Sequence, residues 1–263
     1  MKQRIITGLV GAVGFLYVVK LGGIPYSLLV ILLAILAYFE YLKMSSTKIY
    51  SIEGLIGLGT ALSIIISHNK LFTFFLDIDE VYIMLSALFL YLVIVVTKKN
   101  KITFDKVGFY LLGAMYIGFG FSYMLETRFL NNGLALTLFI LFLTWASDTG
   151  AYFSGKYFGK NKLWPEISPK KTIEGSIGAI VSTILVGLFL NVLLEINDDI
   201  LQLIWFGILI SIVGQFGDLV ESALKRSKDV KDSGSILPGH GGILDRFDSL
   251  IFIFLVLHLF RII

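Results

Sequence analysis

Ser222-Ala-Leu-Lys-Arg-Ser-Lys-Asp-Val-Lys-Asp-Ser-Gly-Ser-Ile-Leu-Pro-Gly-His-Gly-Gly-Ile-Leu-Asp-Arg-Phe-Asp248 is the most polar stretch of an otherwise strongly apolar chain. It holds three Lys, two Arg, four Asp and one His, yet apolar runs at 200–224 and 246–263 flank it. A connection between two membrane helices needs only to be short and hydrated. This one has cations suited to phosphates, carboxylates suited to a hard metal ion, and glycines that let backbone come close to a ligand.

Working outward, the composition excludes a soluble globular protein. The chain is 56% hydrophobic and 16% charged, with a mean hydropathy of +0.85, against about 25% charged residues in soluble domains. With no cysteine, disulfides and thiolate metal sites are ruled out. Runs long enough to cross a bilayer fall at 4–20, 25–43, 52–68, 80–97, 107–125, 133–155, 173–195, 200–224 and 246–263. The third is short and glycine-rich, and the first reads as a span rather than a cleavable leader. The predicted fold class is therefore all-α: a polytopic integral membrane protein of about nine transmembrane helices, a single membrane domain overall. Residues 1–130 read as scaffold. Residues 131–263 read as the catalytic region, with polar loops 156–172 and 225–245. Gly118, Gly120, Gly175 and Gly178 read as close helix packing, and Glu40 and Tyr41 as interfacial anchors.

Charge placement orients the chain. With the N-terminus inside, only Lys20, Lys70, Arg128 and Arg261 of the 22 Lys and Arg lie outside. The other eighteen gather on the cytoplasmic side, a strong positive-inside bias. Both polar loops then face the cytoplasm, and a site built from them sits at the cytoplasmic membrane edge.

Carboxylates inside spans cost about 2.5–3.5 kcal/mol each at mid-helix and are functional suspects. Asp148 lies in the sixth span. Asp218 lies in the eighth, with Glu221, Ser222 and Lys225 at i+3, i+4 and i+7 on the same helical face. Asp245 and Asp248, also i+3 apart, open the ninth. Carboxylates brought to one depth from two helices suit Mg²⁺, with Asp218 and Asp245 as its expected ligands. Lys225, Arg226 and Arg246 are placed to contact phosphate, whereas Lys228 reads as an anchor. His240 stands beside the Gly241-Gly242 turn, whose amides suit an anion. Lys170 and Lys171 read equally as anchors or as a phosphate clamp.

The order Ser222-x-Leu-Lys225-Arg226-x₄-Lys231-Asp232-x-Gly234-x₂-Leu237-Pro238-x-His240-Gly241-Gly242-Ile-x-Asp245-Arg246-Phe-Asp248 resembles the signature of the phosphatidate cytidylyltransferases, the CDP-diacylglycerol synthases. The runs Ser147-Asp148-Thr-Gly150-Ala-Tyr152 and Ser168-Pro-Lys170-Lys171-Thr172-x-Glu174-Gly175 resemble that family too, so the similarity covers the C-terminal half. The resemblance implies transfer of CMP from CTP to phosphatidate with release of pyrophosphate. It implies a need for Mg²⁺, with room for a second cation, and a homodimer in a bacterial-type inner membrane. Asp218, Asp245, Lys225, Arg226 and Asp248 are the expected catalytic residues. Ser222, Lys170, Lys171, Lys231, Asp232, His240, Gly241, Gly242, Arg246 and Asp148 are the expected substrate-binding ones. CTP, phosphatidate and membrane lipid are the expected partners, and nucleic acid is not. Two other readings stay open: a different CTP-using lipid enzyme, and a cation transporter with Asp148 and Asp218 as intramembrane ligands.

Overall fold

The computed structural model describes residues 2–67, 78–236 and 241–263, with side chains from Gly8 onward. The described residues form nine helices: α1 Lys2–Leu21, α2 Gly23–Met44, α3 Ile52–Ser67, α4 Glu80–Thr97, α5 Phe104–Phe129, α6 Gly133–Phe158, α7 Ile173–Leu194, α8 Ile200–Ser227 and α9 Leu244–Leu259. Six of them, α2 and α4 to α8, are long and apolar enough to cross a membrane, and α3 is a shorter apolar helix. The architecture is thus that of an all-α polytopic membrane protein. The expected 156–172 loop is different: it folds into an antiparallel hairpin, β1 Lys162–Trp164 paired with β2 Ser168–Thr172.

Helix ends follow local chemistry. Thr172 caps α7, its hydroxyl accepting from the Gly175 amide at 3.1 Å. Asp199 caps α8, accepting from the Leu201 amide at 2.9 Å. α8 runs past the predicted end at 224 to Ser227, so Lys225 and Arg226 lie on its last turn rather than in the loop. Basic side chains there complement the negative end of the helix dipole. In the same way α9 starts at Leu244, which places Asp245 in its first turn.

The chain divides into two compact units, one of residues 1–126 with 230–246, the other of 127–229 with 247–263. The first is held by tyrosines. Tyr26, Tyr38, Tyr41, Tyr91 and Tyr110 are buried. Three of their hydroxyls bond to backbone on other helices: Tyr26 donates to the Met124 carbonyl at 3.2 Å, Tyr41 to that of Phe109 at 2.9 Å, and Tyr91 to that of Glu53 at 2.7 Å. The Tyr41 ring also stacks on Phe109 at 4.3 Å between centroids. Glu40 and Tyr41 are therefore core residues, 1% and 2% exposed, not the expected interfacial anchors. A buried partner for each polar tip outweighs the interface as a place for it.

In the second unit, small residues bring helix backbones together, as packing in lipid requires. A Cβ at Gly150 of α6 would come within 2.7 Å of the Gly178 carbonyl of α7, and one at Gly178 would collide with Ser154. A Cβ at Gly217 of α8 would lie 2.9 Å from both the Asp248 carbonyl and the Ser249 Cα of α9. The expectation of close packing at Gly178 thus has a concrete partner. Gly150→Val or Gly178→Val is expected to cost about 1–3 kcal/mol by overpacking. Gly59, which has open space around it, serves as the control. Thermal unfolding in detergent should show Gly59→Val close to wild type and both α6–α7 variants lowered.

Candidate active site

The second unit concentrates charge where α8 and α9 touch. With no Cβ at Gly214 or Gly217, the start of α9 lies against α8, and the Ser249 hydroxyl donates to the Gly214 carbonyl at 3.0 Å. Asp248 is thereby buried, only 8% exposed, its Oδ1 accepting from the Ser249 amide at 2.8 Å. Asp218 and Asp148 act on it as like charges and Lys225 as an opposite one. Three carboxylates from α6, α8 and α9 therefore share one electrostatic neighbourhood, and that arrangement costs stability unless a cation compensates it.

Cations stand at its border. Lys171, on β2, reaches the Asp218 Oδ2 at 2.7 Å and also donates to the Gln215 carbonyl at 3.3 Å. The other Asp218 oxygen accepts from the Ser222 hydroxyl at 3.2 Å. Lys225 pairs with Glu221, which is 1% exposed. Arg226 Nε donates to the Ile167 carbonyl at 3.4 Å, fastening the end of α8 to the hairpin turn. Glu174 binds the far side of the hairpin, accepting from the amides of Lys160 and Asn161 and from Asn161 Nδ2. Lys170 is exposed on β2.

The first unit holds the segment from Lys231 to Arg246. Asp245 Oδ2 accepts from the Gly242 amide at 2.8 Å and the Ser233 amide at 3.1 Å. Gly241 has φ +84°, a conformation that favours glycine. Lys231, Asp232 and Arg246 are exposed. His240, with Leu237 to Gly239, lies outside the described residues.

Of the expected site residues, Asp148, Asp218, Ser222, Lys225, Arg226, Asp248 and Lys171 thus belong to one polar region of the second unit, with Lys170 exposed on the same hairpin. Asp245, Gly241 and Gly242 form a second polar cluster, in the first unit. Sequence reading missed the role of Glu40, whose Oε2 accepts from the Leu244 amide at 2.9 Å. Its signal was present: a carboxylate within an apolar helix. Among the described residues no three His, Cys, Asp or Glu side chains make a ready metal cage. Mg²⁺ commonly takes one or two carboxylates together with substrate phosphates, so Asp218, with Asp248 in the same polar region, fits such an ion.

Charged, hydrogen-bonded side chains are thus set into a bundle of apolar helices, the arrangement of a polar site in a membrane protein. The family model for the "Cytidylyltransferase family" matches residues 2–263. The phosphatidate cytidylyltransferase of Bacillus subtilis is 45% identical over 254 residues, covering 96% of this chain and 94% of that protein. Those of Staphylococcus epidermidis and Staphylococcus aureus are 40% and 38% identical, each covering 100% of this chain and 99% of the relative. The chain belongs to the cytidylyltransferase family.

Asp248 offers a test of the site's electrostatics. Asp248→Asn keeps the acceptor for the Ser249 amide and removes one of the clustered like charges. Melting in detergent is expected to hold or rise by a few degrees, about 2–4 °C per kcal/mol in a chain of this size, while turnover is lost. A clear fall in melting temperature would mean that the charge is structural.

Proposed function

We propose that this protein is a phosphatidate cytidylyltransferase: it transfers CMP from CTP to phosphatidate, giving CDP-diacylglycerol and pyrophosphate. The observation that carries this is the joining of full-length similarity with a charged site whose carboxylates and cations match the reaction. A phosphatidate oxygen forms a bond to the α-phosphorus of CTP, the bond from that phosphorus to the bridging oxygen breaks, and the electron pair leaves with pyrophosphate. The nucleophile is already an anion near neutral pH, so no strong base is needed.

The task of the side chains is to bring two polyanions together. Lys171, Lys225 and Arg226, with Lys170 on the same hairpin, would offset the charge of the triphosphate and stabilise the leaving pyrophosphate. Asp218, an expected ligand, would hold Mg²⁺, which supplies charge neutralisation on the phosphoryl oxygens, and Asp248, expected as a catalytic residue, would serve as an additional ligand in the same unit. Asp245, the other expected ligand, is held by amides in the first unit, and its contribution is tested separately below. The resting ion pair of Lys171 with Asp218 leaves both groups placed to exchange partners when anion and cation arrive. A transporter would use the carboxylates but has no need of a lysine-bearing hairpin fastened beside them.

The nine helices would then be nine spans, with the N-terminus, the hairpin and the 225–245 segment cytoplasmic, where CTP is found. The membrane would be a bacterial-type inner membrane and the assembly a homodimer. Single cysteines at Glu166, Ser235 and Asp198 in this cysteine-free chain report the topology. An impermeant thiol reagent on intact cells should label only position 198, and labelling at 166 or 235 would overturn it.

Activity is tested with pure protein by CTP-dependent pyrophosphate release, offering phosphatidate, a polyprenol or an isoprenoid glycerol phosphate. Only phosphatidate should support turnover. Asp218→Asn and Asp245→Asn should each lower kcat by about 10²-fold or more, equivalent to about 2.7 kcal/mol. Lys170→Ala or Lys171→Ala should raise KM for CTP or lower kcat, while Lys98→Ala and Lys99→Ala leave both unchanged. Equal loss across all four lysine variants would point to general surface charge instead.

A further inference from the structure

Glu40 is 1% exposed in the middle of the tyrosine-lined core, yet no role in the chemistry has been assigned to it. Its Oε2 accepts from two points far along the chain: the Leu244 amide at 2.9 Å, in the first turn of α9, and the Ser233 hydroxyl at 3.4 Å. These flank the two ends of the segment that carries Gly234, Gly241 and Gly242. The glycines make room for it. A Cβ at Gly234 would collide with Glu40 Oε1, and one at Gly242 with Glu40 Oε2 and Ser233 Oγ. Glu40 Oε1 itself has no hydrogen-bond partner among the described residues.

We propose that Glu40 is a positioning residue: a buried acceptor on α2 that holds Ser233 and Leu244 and so fixes where Asp245 points. The chain of contacts is short. Glu40 holds Ser233 through its hydroxyl, and the amide of the same Ser233 donates to Asp245 Oδ2 at 3.1 Å. Glu40 also holds Leu244, the residue before Asp245, while Gly242 donates to that same Oδ2 at 2.8 Å. Asp245 thus receives two amides, one of them from the residue whose hydroxyl Glu40 holds. The Leu244 amide and the Ser233 hydroxyl both fall on Oε2, so one acceptor oxygen carries the two contacts. An anchor within a helix core holds such a segment more firmly than loop contacts alone. The inference rests on the proposed cytidylyl transfer, for which Asp245 is a candidate metal ligand.

The test compares Glu40→Gln, Glu40→Ala and Ser233→Ala in purified protein, with wild-type pyrophosphate release as reference. If wild type fails with phosphatidate and CTP, the functional reading fails and a structural readout still judges the pin. That readout is a spin label at Ser235→Cys, an exposed position within the segment. Glu40→Gln keeps one acceptor and should retain activity within about threefold, with an immobile label. Glu40→Ala should mobilise the label and lower kcat at least tenfold while changing KM for phosphatidate little. Ser233→Ala, which keeps its amide, should give a smaller change of the same kind, and it judges the proposal should Glu40→Ala fail to fold. Full activity and an immobile label in Glu40→Ala, or in Ser233→Ala where that variant decides, overturn the pin. Loss of activity in Glu40→Gln with the label still immobile overturns it as well, because then the charge is required and not the acceptor.

Discussion

The polar region of the second unit depends on seating carboxylates where apolar helices pack closely against one another. A buried carboxylate such as Asp248 needs its surroundings held in place by neighbouring elements. Gly214 and Gly217 let α9 lie against α8, Ser249 bonds across that contact, and Lys171 and Lys225 stand at its border.

The first unit solves the opposite problem. In lipid there is no hydrophobic force to drive helices together, so hydrogen bonds and shape do it. Tyrosine suits this because its ring fills volume while its hydroxyl finds a carbonyl on another helix, as Tyr26, Tyr41 and Tyr91 do. The result is a rigid seat for a polar segment. Gly57 faces the Tyr38 hydroxyl and Gly113 the Tyr41 ring, so the glycines that make α3 look weak as a span are there to admit aromatic side chains.

The nine apolar runs were legible because period and length report directly on helices in lipid, and the helices match the predicted runs to within a few residues. The spacing of Asp218, Ser222 and Lys225 was equally legible, since i+4 and i+7 place side chains on one face whatever surrounds them. The hairpin was not. Its strands are three and five residues long, and Ser-Pro-Lys-Lys-Thr has no apolar alternation to announce it. Glu174 of α7 and Arg226 of α8 hold it from outside, and its own Lys171 reaches Asp218; such contacts leave no local pattern. Glu40 was misread for a related reason: proximity to a helix end suggested water, whereas its partners lie some two hundred residues downstream.

The hairpin is fastened to α8 at two heights: Lys171 grips the level of Gln215 and Asp218, and Ile167 takes the guanidinium of Arg226. Successive residues of an α-helix are turned by about 100°, so neither attachment survives if α8 rotates by one residue about its axis. A strand pair tethered in this way works as a torsional lock. It opposes rotation of α8 about its axis and favours the setting in which the Asp218 face of the helix is turned toward Lys171.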